Sequence, residues 1–268
     1  MALGFRLRGS TVVFAITLAT PTAAAINLVS VQDEIKLGQE AQREVRRQVP
    51  VVGGSVGPYV GGIGRQLAAH AAGPRYPYSF SVANYREINA FSLPGGPVWV
   101  HRGAIQAAQN ESQLAGIVAH EIAHIARRHA AQQISKGIVA NGLLNLLGAV
   151  LGSGHGARAA EVGASVLANG YLLKFSRDDE READAVGVQI MRRAGWDARG
   201  MLEFMEILRA KEGRDPGVAI FLSTHPAPAD RVARLRSIVG GGGRRDTDAF
   251  RRIRAELARM PPAPAMPR

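Results

Sequence analysis

The residues best suited to chemistry in this 268-residue chain form the pentapeptide His120-Glu121-Ile122-Ala123-His124. Two histidines four positions apart lie one turn apart on the same face of a helix, so both imidazoles can reach one metal ion. Glu121, beside the first histidine, can then accept a proton from a water molecule at that metal. This H-E-x-x-H pattern therefore predicts a metal site with a general base beside it.

The pentapeptide lies in a segment that the sequence predicts as a helix, with Asn110 as its amino-terminal cap. Four apolar residues form a stripe on the far side of this helix, namely Leu114, Val118, Ile122 and Ile125. Gly116, one turn before His120, lowers helix stability and indicates a close approach by another element. Burying three ionisable groups here is costly unless a metal ion pairs with them. The alternative is a helix whose histidines only form hydrogen bonds in the core.

A catalytic zinc ion needs a third protein ligand and one position open to water. His129 lies nine residues after His120, so on a continuous helix its side chain points away from the site. The longer metzincin motif is absent, because Arg127 and Ala130 replace its glycine and its last histidine. The chain contains no cysteine, which excludes thiolate ligands and favours a carboxylate as the third ligand.

An acidic cluster at residues 176–184 predicts a second helix that can supply this carboxylate, with Ser176 as its cap. Glu180 and Asp184 lie one turn apart on one face, whereas Glu182 lies nearly opposite Glu180. One carboxylate of the shared face can bind the metal while the other orients a ligand imidazole. The alternative, a solvated acidic start of a helix, is common.

These two motifs together resemble those of the gluzincin metallopeptidases related to the CAAX prenyl protease, HtpX and BepA. Three further elements resemble the same family: Asn89-Ala90-Phe91 before Gly95-Gly96 and Val98-Trp99-Val100, then Arg102-Gly103, and finally Thr224-His225-Pro226 with Arg231. The resemblance spans roughly Leu28 to Arg236, and it implies one zinc ion per chain.

The resemblance implies three zinc ligands, namely His120, His124 and Glu180. It implies that Glu121 is the general base. It also implies that Asp184 orients a ligand imidazole from the side that faces away from the metal. It also places His225 and Arg231 near the zinc, where they assist transition-state charge or gate the open position. Without the family, a His-Pro pair followed by an arginine indicates only a turn before a helix.

The expected fold class is α+β and predominantly helical, a zincin-like metallopeptidase domain with a short β-sheet. Helices are predicted from Leu28 to Gln48 and from about Val60 to Ala72. Val98 to Val100 follows a Gly-Gly turn and predicts a short strand. An edge strand beside the zinc would let an extended substrate pair with it through backbone hydrogen bonds.

The amino-terminal residues predict export. Arg6 and Arg8 precede an apolar run from Thr11 to Leu18 and a small-residue segment ending at Ala25. This order is typical of a signal peptide, so residues 1–25 are expected to be removed. An uncleaved anchor would need nearer 20 apolar residues. In a bacterium the predicted destination is the periplasm.

The remaining chain divides into a metallopeptidase domain, residues 26–240, and a basic, proline-rich tail, residues 241–268, expected to be solvated and partly disordered. Without the leader's two arginines the formal charge of +11 becomes +9. A protein of this charge can bind anionic lipid or envelope polymers, but a charged, solvated surface is the favoured interpretation. Export argues against a nucleic acid partner.

The apolar segment 138–151 is too interrupted to span a membrane; a buried or flap-like hairpin is favoured over peripheral membrane contact.

The sequence therefore predicts a zinc endopeptidase of the cell envelope whose substrates are polypeptides, in particular unfolded or mislocalised envelope proteins. The alternative is an envelope assembly factor with chaperone-like binding and little proteolysis. The presence of Glu121 argues against this alternative, because a binding protein needs no general base at that position. The sequence leaves the cleavage preference and the oligomeric state open.

Overall fold

The computed structural model describes residues 27–146, 174–226 and 229–267. The predicted signal peptide lies outside these ranges, and so does the part of the apolar segment that follows Leu146. Up to Leu146 that segment continues a helix. No helix in the described part of the chain has both the length and the apolar character needed to cross a bilayer.

The helices are α1 Val31–Gln48, α2 Val56–Ala68, α3 Arg102–Ala107, α4 Glu111–Ala126, α5 His129–Leu146, α6 Arg177–Arg193, α7 Arg199–Lys211, α8 Pro216–Thr224, α9 Ala229–Ile238 and α10 Asp248–Arg259. The strands are β1 Ser79–Ala83, β2 Ala90–Ser92 and β3 Pro97–His101. Helices dominate, so the predicted α+β, predominantly helical class is confirmed. Helix α2 begins and ends about four residues earlier than predicted, because its buried stripe already starts at Val56 and the helix stops at Ala68.

The three strands form one sheet in the order β1-β3-β2. β3 pairs in parallel with β1 and antiparallel with β2, where Phe91 lies opposite Trp99. The predicted strand at Val98 to Val100 is therefore the central one, and the edge strand that contacts α4 is β2. The residues of β3 are buried on both faces.

Helix α4 is the centre of the domain, and all of its residues are buried. It packs against α2, α6, α7 and β2. The side chain of Asn110 accepts a hydrogen bond from the Gln113 N–H group and so caps the helix where the sequence predicts. The predicted apolar stripe is thus one side of a helix that is enclosed all round, and the histidines lie inside the protein.

Glycines bring α4 and α7 into backbone contact. A Cβ atom added at Gly116 would lie 2.7 Å from the Cα atom of Met201 in α7. Gly200 has an equally close neighbour in the backbone of Ser112. The close approach predicted from Gly116 is thus made by α7.

Replacing Gly116 by Ala is expected to lower the free energy of unfolding by about 1–3 kcal/mol, because the added methyl group overpacks this crossing. The matched control is Gly62→Ala in α2, where nothing lies within 4 Å of the added Cβ. There the better helix propensity of alanine should raise stability by up to about 1 kcal/mol. Urea unfolding of the two variants measures the difference, and equal stabilities would contradict the packing argument.

The helix of the pentapeptide ends at Ala126, and the chain turns before α5. Arg128 has a φ angle of 61°, in the left-handed region that a non-glycine residue seldom adopts. Its guanidinium binds Glu34 of α1 at 2.9 Å and the Val29 carbonyl oxygen at 2.6 Å. These contacts hold the turn, and they determine where His129 lies.

The segment after Gly240, expected to be solvated and partly disordered, contains helix α10. Phe250, Ile253 and Leu257 are buried on one face of this helix and join the main core. The buried Arg102 donates hydrogen bonds to the carbonyl oxygens of Leu257 and Pro261. Helical spacing of three apolar residues therefore outweighs the basic composition, and the segment packs on the domain.

Candidate metal centre

Four buried side chains meet where α4, α6 and the end of α8 come together, namely those of His120, His124, Glu180 and His225. One ligand atom of each lies within 4.8 Å of the others. The Nε2 atoms of His120 and His124 are 3.0 Å apart. The Glu180 carboxylate lies 3.4 Å from the first and 3.3 Å from the second. The structure thus brings together the three ligands expected from the sequence, with His225 as a fourth.

The donor set fits a metal ion. Two imidazoles and one carboxylate are ligands that zinc takes in catalytic sites. Both imidazole Nε2 atoms face the same carboxylate, an arrangement that a shared cation satisfies. Next to them, Glu121 is fully buried, and its Oε1 atom has no hydrogen-bond partner among residues 27–146, 174–226 and 229–267. A buried carboxylate oxygen that accepts no hydrogen bond, beside a set of candidate ligands, is suited to binding a water molecule or a substrate proton.

The side of His120 that faces away from the cluster is held by Asp184. The Nδ1 atom of His120 lies 3.2 Å from Asp184 Oδ1. Arg231 in turn donates two hydrogen bonds to Asp184, at 2.8 and 2.7 Å. Its third nitrogen lies 2.6 Å from Glu180 Oε2. All three guanidinium nitrogens of Arg231 therefore contact the two carboxylates of α6, and Arg231 holds these carboxylates in place.

The electrostatics of the cluster follow from burial and from these pairs. Burial lowers the pKa of His120, but the neighbouring Asp184 and Glu180 outweigh it and raise that pKa to about 10. Burial also opposes the charge of Glu180, yet the surrounding histidines hold its pKa well below the ordinary value. Burial dominates at His124 and holds its pKa well below the usual range. The two carboxylates therefore favour a positive charge at this cluster, which a bound cation would supply.

Glu121 and His225 face each other across the cluster. Ser92, at the end of β2, donates a hydrogen bond of 2.9 Å to Glu121 Oε2. Glu121 Oε1 lies 3.6 Å from His225 Nε2. His225 follows the last residue of α8, and its Nδ1 atom lies 3.0 Å from Glu180 Oε1 and 3.4 Å from His120 Nε2. The Nδ1 atom of His225 therefore lies among the candidate ligand atoms, where a three-ligand site would leave one position to water.

Sequence reasoning missed three residues of this centre: Ser92, His129 and Glu182. Ser92 directly follows the Asn89-Ala90-Phe91 element, and the alternation of a strand puts it on the same face as Ala90. His129 does not point away, because α4 ends before it; its Nδ1 atom lies 2.9 Å from His124 Nδ1. Its other nitrogen lies 3.0 Å from Glu182 Oε2.

Comparison with known proteins agrees with this geometry. Residues 57–239 match the description of peptidase family M48. The chain belongs to peptidase family M48. The matched range contains the whole M48 centre described above, from Ser92 to Arg231.

Individual M48 relatives are similar over most of this chain. The beta-barrel assembly-enhancing protease of Escherichia coli strain K12 is 31% identical over 227 residues, which cover 82% of this chain and 47% of the relative. A putative beta-barrel assembly-enhancing protease of Vibrio cholerae is 32% identical, over 78% of this chain and 44% of the relative. The mitochondrial metalloendopeptidase OMA1 of Schizosaccharomyces pombe is 30% identical, over 78% of this chain and 62% of the relative. The chain spans about half the length of the bacterial relatives.

Proposed function

We propose that this protein is a zinc-dependent endopeptidase that hydrolyses peptide bonds with Glu121 as the general base. The observation that carries the proposal is the buried set of His120, His124 and Glu180. It lies next to the Oε1 atom of Glu121, which accepts no hydrogen bond from the described residues. Membership of peptidase family M48 supports the same reaction class.

Each residue of the site has a separate role in the proposed reaction. Zinc, when held by the two histidines and Glu180, supplies a Lewis acid that lowers the pKa of water and polarises the scissile carbonyl group. Glu121 Oε1 takes the proton of the attacking water and passes it to the leaving amine. Ser92 holds the other oxygen of Glu121 by its hydrogen bond, so the carboxylate keeps its orientation during both transfers.

Strand β2 is the surface that would align a peptide with this site. His101 N–H donates to Asn89 O and Leu93 N–H to Pro97 O, so these residue pairs are the hydrogen-bonded ones. In an antiparallel ladder the intervening Ser92 directs its backbone groups away from β3. Its side chain contacts Glu121, so an extended peptide paired at Ser92 lies beside the general base.

His225 is proposed to hold the resting enzyme inactive by occupying the fourth position at the metal. A neutral imidazole is a competent zinc ligand, and the Nδ1 atom of His225 already lies among the other ligand atoms. Opening would require that the His225 ring leaves Phe221, on which it stacks with a centroid distance of 4.8 Å.

His225→Ala is therefore expected to raise basal turnover, because water and substrate gain access to the metal. If His225 instead donates a hydrogen bond to the developing oxyanion, turnover should fall about ten-fold, or about 1.4 kcal/mol, with little change in KM. Steady-state cleavage of an unfolded protein by parent and variant distinguishes the two roles. Unchanged turnover would remove His225 from the site.

We propose the cell envelope as the place of action and unfolded or mislocalised polypeptides as the substrates. The predicted leader supports export. The names of the bacterial relatives connect them with β-barrel assembly, whereas the OMA1 relatives are named as mitochondrial. A chaperone-like assembly factor is the second candidate, and it also suits the names of the bacterial relatives.

The experiment that tests the proposal combines metal analysis with proteolysis. The purified protein is expected to contain about one zinc ion per chain and to cleave casein. A chelator should abolish cleavage, and added zinc should restore it. Cleavage that continues in the chelated, zinc-free protein would contradict the proposed mechanism, and zinc binding without any cleavage would favour the assembly factor.

A further inference from the structure

His129 lies directly behind the ligand His124, on the side away from the cluster. It is the first residue of α5 and is fully buried. The two imidazole planes are nearly perpendicular, at 75°, and their Nδ1 atoms are 2.9 Å apart. Phe175 stacks on the ring of His124 with a centroid distance of 4.0 Å. The ring of His124 is therefore fixed by a hydrogen bond at its edge and an aromatic contact on its face.

The contacts allow one arrangement of protons when His124 binds a metal. His124 faces the cluster with Nε2, so a metal takes the lone pair of Nε2 and the proton must lie on Nδ1. That proton is donated to His129 Nδ1, which must carry a lone pair. The proton of a neutral His129 then lies on Nε2 and is donated to Glu182 Oε2, 3.0 Å away. The reverse direction would put a proton on His124 Nε2 and block the metal.

Glu182 gives this chain of hydrogen bonds its direction. A carboxylate only accepts hydrogen bonds, so the nitrogen of His129 that faces it must donate. Arg127 Nη2 lies 2.5 Å from the other oxygen of Glu182. Arg127 thus takes one oxygen of Glu182, and the other oxygen accepts the hydrogen bond from His129.

We propose that His129 is a positioning residue for the metal, which acts by holding His124 in the tautomer and orientation that bind through Nε2. Glu182 in turn sets the tautomer of His129. The two ligand histidines are thus supported differently, His120 directly by Asp184 and His124 through a second imidazole. This inference rests on the proposed zinc site and adds His129 and Glu182 to it.

Two substitutions at His129 separate positioning from packing. His129→Asn offers a side-chain oxygen close to the place of the Nδ1 acceptor, whereas His129→Leu fills similar space without an acceptor. Zinc affinity is measured by competition with a chromophoric chelator, and the visible spectrum of the Co²⁺-loaded protein reports ligand geometry. His129→Leu should weaken zinc binding about 10- to 100-fold, and His129→Asn should restore most of it. His70→Leu, at an exposed histidine, is the matched control and should bind zinc like the parent.

The melting temperature of each metal-free variant detects a purely structural role. Equal zinc affinity and an unchanged Co²⁺ spectrum in His129→Leu would overturn the inference, even if its melting temperature falls. An equal loss of zinc affinity in His129→Leu and His129→Asn would overturn the inference as well. If His129→Leu does not fold, Glu182→Leu at the more exposed end replaces it, with a smaller loss of zinc affinity expected. A parent that binds no zinc would refute the zinc site itself, which the other outcomes leave standing.

Discussion

Replacing Glu121 by Gln is expected to abolish peptide hydrolysis while the protein keeps its fold and its zinc. The amide has the shape of the carboxylate and still accepts the hydrogen bond from Ser92, but it cannot take a proton from water. Loss of a positioned general base lowers turnover about 100- to 10,000-fold. The rates of casein cleavage by the two forms, measured at equal zinc content, check the expectation.

The control for this substitution is Glu40→Gln on the exposed face of α1, which removes the same charge far from the site. It should cleave like the parent. If Glu121→Gln cleaves as fast as the parent, Glu121 is not the base or the activity comes from a contaminating protease. If neither the parent nor Glu121→Gln cleaves any protein while both support envelope assembly, the chaperone-like alternative is correct.

The parts of the site that the sequence predicts are the local ones. His120 and His124 share a helix face because of their spacing, and Glu180 and Asp184 do so for the same reason. The starts of both helices are also encoded locally: Asn110 caps α4, and Ser176 forms a capping box at the start of α6. Spacing and caps together are enough to predict which side chains can converge.

The part that spacing cannot predict depends on contacts between distant segments. His129 lies near the metal because α4 stops at Ala126, and no glycine or proline announces that stop. The left-handed conformation of Arg128 is instead held by Glu34, 94 residues earlier in the chain. A helical wheel that assumes a continuous helix therefore places His129 on the wrong side.

The carboxyl-terminal segment shows how composition can conceal a periodic pattern. Its arginines and prolines predict a solvated tail, yet Phe250, Ile253 and Leu257 recur at helical spacing. Their burial is secured by Arg102, whose guanidinium binds carbonyl oxygens at the end of α10. The sequence contains both the basic composition and the apolar spacing. Which of the two decides the structure can be judged only when the surface on which the apolar residues pack is known.

Replacing Glu180 by Ala is expected to remove most of the zinc from the purified protein. It deletes one of three proposed ligands and removes one of the two carboxylates that pair with Arg231. The zinc content, measured after dialysis against metal-free buffer, should fall from about one ion per chain to nearly none. Asp178→Ala is the matched control, because Asp178 lies in the same first turn with a side chain that is 88% exposed.

Glu182→Ala tests whether zinc retention depends on specific contacts in the site or only on the number of acidic residues in helix α6. On spacing alone Glu182 lies opposite Glu180 and should not matter, but its contact with His129 connects it to the ligand His124. The expected order of zinc retention is therefore Asp178→Ala above Glu182→Ala, and Glu182→Ala above Glu180→Ala. Equal retention in the Glu180 and Asp178 variants would remove Glu180 from the ligand set. Equal retention in the Glu182 and Asp178 variants would leave Glu180 a ligand and confine the support of His124 to His129 itself.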